Sequence, residues 1–378
     1  MKPYIYSILC LLSVTISFAQ TEEVILKKSF KVDENTILNL DLDNVAIVFE
    51  ESFDDKIHFD YVMFFGRFSK RKREMIIKKS KIKTSKNGDF INLKVINSEF
   101  LGINLKYYPD YDSNSRLIAL QDFINSEKKR VYNYKSKDSL LKEIKESQGS
   151  NMDDFFKKRY KKFEKNRMLK NKKVIVKIFS IKVPKYVKIR LKAIQTDVSF
   201  TYDITKPIVV NSFKGFLKFK NILCDDNSIS SNNGILQAYS INNSNIYFRD
   251  MNKVVIGSAF NSEIKTETSK IQIGEIKENV SIIDFNSKLY FYNFHENFNK
   301  FNLKGDYTEL NLYKVKDTNF SMDVSGFNTI LNMQGVKTSF GASTERELTK
   351  ILQKKRKENS PFLGNVEVIL KNGILNIK

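Results

Sequence analysis

Hydrophobic and polar residues alternate along the N-terminal part of the chain. Short β-like runs of apolar residues occur between residues 24 and 63, and Ile57, Phe59, Tyr61 and Met63 follow one another at every second position. Alternation over this length is typical of half-buried β-strands. A hairpin-type turn at 87–88 (Asn-Gly) leads into a further alternating run at 91–95. The pattern therefore predicts an N-terminal β segment, which we assign to residues 20–107.

The pattern changes between residues 108 and 173, where apolar residues recur at helical spacing and Lys and Arg outnumber Asp and Glu. Ser113, Ser136 and Asn151 are each suited to cap a helix. The apolar faces would be formed by Leu117, Leu120, Phe123 and Ile124, by Leu140, Leu141 and Ile144, and by Phe155, Phe156, Tyr160 and Phe163.

This segment, 108–173, is interpreted as a basic helical insertion. Its apolar faces would pack on the protein and its lysines would face solvent. We expect the helices to dock outside the β core, and the strands at 91–95 and 174–178 to lie close together.

From residue 174 the alternation resumes, and between about 208 and 333 it has the form of a degenerate repeat. A short apolar strand is followed by a polar turn, usually with Asn-Ser or Gly, and by a second strand. The second-strand positions step by 25, 21 and 20 residues, at Ile264, Leu289, Leu310 and Ile330. Because only a neighbouring unit can cover the single apolar face of each unit, the repeat predicts a mainly β, single-stranded β-solenoid-like stack over 174–378. A β-sandwich is the alternative.

Three local patterns complete this interpretation of the C-terminal region. Asn residues at aligned corners of the stack are expected to hydrogen-bond to the Asn of the next rung. Thr344 and Glu347 have the spacing of a capping pair, and apolar residues follow at Leu348, Ile351 and Leu352, which predicts a short helix at 344–357. The chain then ends on two strands joined by an Asn-Gly turn at 372–373.

The first nineteen residues have the order of a secretory signal peptide. Lys2 precedes an apolar run at 5–18, and Ser17 and Ala19 place small residues at the −3 and −1 positions of a cleavage site after Ala19. The run is shorter than the ~20 apolar residues that a membrane-spanning helix needs. We therefore expect an exported protein whose mature chain has no transmembrane segment.

The two cysteines refine this expectation. Cys10 is not preceded by the small residues expected before an acylated cysteine, so the mature chain is expected to begin at Gln20 without a lipid. Removal of the signal peptide leaves Cys224 alone, which excludes an intramolecular disulfide. Stability must then come from a hydrophobic core.

The chain is strongly basic, with 64 Lys and Arg against 43 Asp and Glu, a formal charge of +21. Such a field favours anionic partners, and we consider anionic polysaccharide, lipopolysaccharide and another envelope protein as candidates. A second interpretation is that an AT-rich genome has enriched Lys, Asn, Ile and Phe without a functional reason. No motif for specific nucleic-acid binding is found.

Residues able to carry chemistry are few. The two histidines, His58 and His295, have no second His or Cys at zinc-ligand spacing, and His58 has the position of an outward-facing strand residue. Cys224 has no evident activating base. The acidic pairs at 153–154 and 225–226 are more typical of caps and turns than of acid–base couples. The sequence thus predicts no catalytic residue, no metal site and no cofactor.

Two segments and the closing strand carry a resemblance to a known family. They read FKVDENTILNLDLDNVAIVFEESFDDKIHF at 30–59, IKVPKYVKIRLKAIQTDVSF at 181–200 and KNGILNIK at 371–378. Together with the stacked short strands they resemble the bacterial adhesin-domain family described as auto-transporter-adhesin-head-like, GIN type, of exported Bacteroidetes proteins. The resemblance covers about 24–100 and 174–378. It implies a β-solenoid and an exported location, and it supplies no catalytic residues.

These observations predict a non-enzymatic, adhesin-like binding or structural protein of the cell envelope. Its expected location is the periplasm or the surface of a Gram-negative bacterium. The alternative is a polysaccharide lyase or hydrolase built on the same β-solenoid. Such an enzyme should bring several carboxylates, or a cluster of Lys or Arg with Tyr, together in a groove on one face.

Overall fold

The computed structural model describes residues 21–65, 68–97, 134, 136–148, 175–315, 320–333, 338–342, 347–353 and 364–378. Within these ranges the chain forms 25 β-strands and two helices, which are numbered below in chain order. The prediction of a mainly β fold is confirmed. The predicted signal peptide and the first and third predicted helices of the basic insertion lie outside the described residues.

The strands stack into two sheets. In space the first sheet runs through β5 (Ser80–Asn87), β6 (Phe90–Asn97), β2 (Ile37–Asp43), β8 (Lys188–Ile194), β10 (Ile208–Phe213), β12 (Asn227–Asn232), β14 (Ser244–Arg249), the ends of β15 (Lys253–Glu267) and β16 (Lys270–Phe285), β18 (Lys300–Asp306), β24 (Asn365–Lys371), β20 (Phe320–Phe327), β23 (Glu347–Gln353) and β22 (Thr338–Ala342). Neighbours are parallel from β6 to β20, and antiparallel strands flank this run at both ends.

The second sheet contains the remaining strands. Its spatial order is β1 (Thr21–Lys31), β4 (Lys56–Phe65), β7 (Ile175–Val183), β3 (Ala46–Glu51), β9 (Asp197–Phe200), β11 (Phe216–Ile222), β13 (Ile235–Asn242), the beginnings of β15 and β16, β17 (Lys288–Phe291), β19 (Glu309–Leu312), β25 (Ile374–Ile377) and β21 (Ile330–Met333). Because β15 and β16 contribute to both sheets, hydrogen bonding connects all 25 strands.

One strand of each sheet and the corner between them form a rung, and aligned apolar residues fill the space between the sheets. In the first sheet Leu191, Val210 and Ile229 occupy the same position in successive rungs. In the second sheet Val198, Leu217 and Leu236 do the same. All belong to one continuous buried core, and between β8 and β19 the step between aligned residues is 17 to 21.

This architecture confirms the predicted solenoid-like stack, but the residues chosen to define its repeat are partly wrong. Leu289 and Leu310 are aligned in the second sheet. Ile264 instead lies in the first sheet, where it pairs with Ile282. Ile330 starts the edge strand β21 and is exposed. Alternating residues of both sheets point into one core, so the sequence pattern alone does not separate the two sheets.

The order of the rungs in space differs from their order in sequence at both ends. The β2–β3 rung lies one level inside the stack, between β8–β9 and the level formed by β6 and β7. The β24–β25 rung similarly lies between β18–β19 and β20–β21. The strands that flank the basic insertion, β6 and β7, therefore occupy one level of the stack in opposite sheets.

Left-handed backbone conformations form the corners between the two sheets. Asn and Asp tolerate this region better than other non-glycine residues, and most of the corner positions carry them: Asn44, Asp226, Asn233, Asn243, Asp250, Asn261, Asn286, Asn328 and Asn372. The predicted asparagine ladder is present. The Asn279 side-chain amide donates to Asn261 at 3.1 Å, and that of Asn299 donates to Asn279 at 3.0 Å.

The two described helices lie outside the stack. Helix α1 (Lys70–Lys79) connects β4 to β5. Helix α2 (Lys137–Gln148) confirms the predicted helix that follows Ser136. Neither has the length and apolar character that a bilayer-crossing helix requires, within the part of the chain that the structure describes.

Helix α2 docks on the outer face of the second sheet. Leu140 and Ile144 are buried against Val255 and Tyr292. Two ion pairs flank this contact: Lys137 Nζ lies 2.6 Å from Glu275 Oε1, and Lys253 Nζ lies 3.2 Å from Glu143 Oε1. Docking outside the β core is thus confirmed for this helix of the insertion.

The helix predicted at 344–357 is wrong. Residues 347–353 form strand β23, which pairs antiparallel with β20 on one side and β22 on the other. The capping pair and the apolar spacing favoured a helix locally, but β20 offers an edge whose backbone groups need partners. Such pairing in the tertiary structure overrides local propensity.

Candidate functional site

The structure places His58 in a chain of hydrogen-bonded polar side chains at the edge of the second sheet that β1 and β4 form. Ser29 Oγ lies 2.9 Å from His58 Nδ1, and Asp54 Oδ1 lies 2.8 Å from His58 Nε2. Ser52 donates to the same carboxylate at 2.7 Å. The hydrogen bonds from His58 and then from Ser52 hold the pKa of Asp54 below its usual value.

This order of hydroxyl, imidazole and carboxylate is the one that activates a serine nucleophile. Here, however, the ring and the carboxylate are open to water, with 33% and 49% of their side-chain surface exposed. Water competes for each of these hydrogen bonds. We therefore assign this chain of hydrogen bonds a structural role: it holds β1, β4 and the loop before β4 together. The prediction that His58 faces outward from its strand agrees with this exposure. The sequence could not identify Ser29 as the neighbour of His58, because only the register between β1 and β4 brings these two residues together.

The other residues considered from sequence take structural positions. His295 Nδ1 accepts from the backbone N–H of Asn297 at 3.1 Å. The Cys224 thiol donates to the Asn227 side chain at 3.0 Å, and burial raises its pKa. Asp226 lies at a left-handed corner, exposed like Asp225. The acidic pair at 153–154 lies outside the described residues.

A concavity lined by charged and amide side chains lies on the outer face of the first sheet, and we name it the basic groove. It has a volume of about 1020 Å³ and crosses five adjacent strands, from β5 to β10. Alternate residues of these strands point outward, since their neighbours fill the core. The charged and amide side chains among its lining are Asn39, Asp41, Lys83, Asn92, Lys94, Arg190, Lys192 and Asn211.

The charge of the basic groove is strongly unbalanced. Four cationic side chains face one carboxylate, Asp41, which Lys94 already binds at 2.8 Å. Strand register places Lys192 on the other side of Asp41 and Arg190 beside Asn39. Exposed guanidinium and ammonium groups donate several hydrogen bonds each and have no acceptor capacity. The groove can therefore bind an anion and orient it by amide hydrogen bonds.

Sequence reasoning missed the basic groove, although part of its signal was present. The alternation of cations with core residues along β8, with Lys188, Arg190 and Lys192 outward, identifies one basic strand face. No pattern in the local sequence indicates that β2 and β6 lie on one side of β8, because residue 94 and residue 190 are far apart in sequence. The basic groove is formed by the order in which the rungs stack in space.

A second cluster lies beside helix α2, where tyrosines cover the outer face of the second sheet. Tyr292 stacks on Tyr313 with ring centroids 4.9 Å apart, and Tyr134 meets Tyr292 edge-to-face at 6.4 Å. Lys253 lies 5.6 Å from the centre of the Tyr134 ring. Burial raises the pKa of Tyr292 to about 12. A phenol held protonated in this way is a poor base at neutral pH, and the cluster serves to dock the helix.

The described residues contain no group of three or more His, Cys, Asp or Glu side chains arranged to hold a metal ion.

No family model matches the chain, and no curated protein matches it. One solved structure that matches is described as a "putative cell adhesion protein" from Clostridium sporogenes ATCC 15579. It is 11% identical, with 95% of this chain and 99% of that chain covered, and the TM-score is 0.18. At that score the likeness carries no argument about fold or function.

Proposed function

We propose that the protein is an exported, non-catalytic, adhesin-like binding module of the cell envelope, and that its basic groove binds an acidic polysaccharide. The observation that carries this proposal is the set of four cations around a single, already paired carboxylate on a sheet face. The expected location is the periplasm or the surface of a Gram-negative bacterium. Lipopolysaccharide carries similar anionic groups and is the related candidate.

The arrangement of the cations favours an extended ligand. They lie on β5, β6 and β8, with β2 between the last two, and neighbouring strands are about 4.8 Å apart. A polymer with repeated carboxylates would meet them in succession as it crosses the strands. The floor is a hydrogen-bonded sheet, so these side chains are held on a rigid element and little ordering is needed on binding.

A polysaccharide-cleaving enzyme would need an acid and a base on opposite sides of the reacting bond. Among the described lining residues of the basic groove, Asp41 is the one that carries a carboxylate. The ion pair with Lys94 balances the charge of this carboxylate. The tyrosine cluster beside helix α2 lies in the other sheet, and burial raises the pKa of its Tyr292. These features favour binding over cleavage.

The binding proposal predicts the behaviour of a double variant, Arg190→Gln with Lys192→Gln. We expect its affinity for polygalacturonate to fall roughly tenfold at low salt, since two exposed charge contacts are lost at up to about 1 kcal/mol each. The salt dependence should weaken as well, because exposed charges act through a screened field. Affinity electrophoresis in gels containing polygalacturonate at two salt concentrations measures both.

The matched control is Lys27→Gln with Lys304→Gln, which removes the same charge from exposed positions on β1 and β18. It should bind nearly as tightly as the unaltered protein. Equal losses in both double variants would mean that net charge, and not the groove, attracts the polymer. Shortening of the polygalacturonate during incubation would refute the non-catalytic proposal.

Export is tested separately. We expect the mature chain recovered from its native envelope to begin at Gln20 and to carry no lipid, as the charge–apolar–small-residue order before Ala19 predicts. N-terminal sequencing and intact mass spectrometry measure this. An intact Met1 or an acyl group on Cys10 would contradict it.

A further inference from the structure

Six of the described left-handed non-glycine positions carry a residue other than Asn or Asp, and the bulkiest of these residues is Tyr307. Tyr307 connects β18 to β19 with φ of 55°, in the left-handed region. The aligned corners of neighbouring rungs carry Asn286 and Asn372. A bulky side chain costs more than Asn in this conformation, so Tyr307 opposes stability at this position.

Packing does not account for this tyrosine, because 57% of it is exposed. Phe285, one rung away, is 50% exposed and meets Tyr307 edge-to-face at 6.1 Å. Phe327 is 54% exposed, and Ile283 and Ile330 are exposed as well. Tyr307 and Phe285 form one exposed aromatic pair, and Phe327 lies further along the same row of corners; we name these three residues the aromatic corner. A residue in a disfavoured backbone conformation and an exposed aromatic pair both point to a binding role.

Polar groups are interleaved with the rings of the aromatic corner. Asp306 lies between Phe285 and Lys371 in the strand register, and Lys371 lies next to Phe327. The Asn328 amide donates to Asn372 at 2.8 Å, and the Asn372 amide donates to Asp306 at 3.2 Å. A short ladder of amides ending in a carboxylate thus runs beside the exposed rings.

We propose that the aromatic corner binds a neutral glycan by stacking the C–H face of a sugar ring on Tyr307, whose ring Phe285 supports nearly at a right angle. A sugar presents apolar C–H groups and hydroxyls in alternation, and this corner presents rings beside amide and carboxylate groups. A second copy of the chain fits less well, because the cores of protein interfaces are depleted of charged residues. The site is on other strands than the basic groove, so this proposal goes beyond the function proposed above and can fail independently of it.

The test uses native electrophoresis of the full mature chain in gels containing laminarin, hydroxyethylcellulose or galactomannan. We expect at least one of these neutral polysaccharides to retard the protein. Tyr307→Asn and Phe285→Ala should each weaken that binding by at least about tenfold, as truncation of an aromatic anchor does at other binding sites. The double variant Arg190→Gln, Lys192→Gln should be retarded as strongly as the unaltered chain.

Stability provides the readout that separates binding from a structural role. In Tyr307→Asn the relief of backbone strain offsets the lost contact with Phe285, so the melting temperature should stay equal or rise by about 2 °C. The proposal is overturned if none of the three polysaccharides retards the protein, or if Tyr307→Asn lowers the melting temperature. It is also overturned if that variant dissociates a dimer in light scattering without any change in retardation.

Discussion

Phe200→Ala is expected to lower the free energy of unfolding by about 3–5 kcal/mol. Phe200 is buried in β9 between Phe49 and Phe219, and these rings stack in parallel with centroid distances of 4.3 Å and 5.3 Å. Alanine would remove the middle ring of this stack and leave a cavity inside three successive rungs. The surrounding strands are fixed by their hydrogen bonds, so they can close that cavity only in part.

Phe213→Ala is the matched control for this prediction, because Phe213 lies at the end of β10 and is exposed. Its expected effect is within about 0.5 kcal/mol. Urea denaturation followed by far-ultraviolet circular dichroism measures both variants. Stacked repeats can unfold in parts, so the transition should also be followed by tyrosine fluorescence. Equal stability of the two variants would contradict the packing of Phe200 between its neighbours.

Lys218→Met is expected to raise the free energy of unfolding at pH 7 by about 1–3 kcal/mol. Lys218 points outward from β11, between Ser199 of β9 and Gln237 of β13, yet it is buried. Removal from water lowers the pKa of its ammonium group from 10.5 to about 8. Methionine keeps a long flexible stem at this position and removes the cost of burying a charge.

The pH dependence gives this prediction a distinct signature. Below pH 8 Lys218 is protonated in both states, and the full burial cost is present. Between pH 8 and 10.5 the unfolded chain binds more protons than the folded one, so the stability of the unaltered protein rises with pH. The advantage of Lys218→Met should therefore shrink between pH 7 and pH 9.5.

Lys220→Met is the control for Lys218→Met, since Lys220 lies two residues further along β11. It is 47% exposed and lies 3.6 Å from Asp203. Its replacement should change stability by no more than about 0.5 kcal/mol at both pH values. A loss of stability in Lys218→Met at pH 7 would mean that contacts of the ammonium group outweigh its desolvation.

The sequence alone determined the class of structure and the nature of its corners. Apolar residues at alternate positions predict strands because successive side chains point to opposite faces. Positions such as Asn261 and Asn286 predict corners because asparagine accepts a left-handed backbone. The helix after Ser136 was predictable from its cap and from the spacing of Leu140 and Ile144. In each case the information lies within a few neighbouring residues.

Only the tertiary structure decided which strands are neighbours, and that choice creates both proposed sites. The basic groove exists because β2 lies between β6 and β8. At the aromatic corner, the insertion of β24 between β18 and β20 places Asn372 next to Asp306 and Lys371 next to Phe327. The same insertion gives β20 an outer edge, on which residues 347–353 form a strand instead of the predicted helix. Rung order depends on pairing between distant segments, and a local pattern with a period of two residues is compatible with many such pairings.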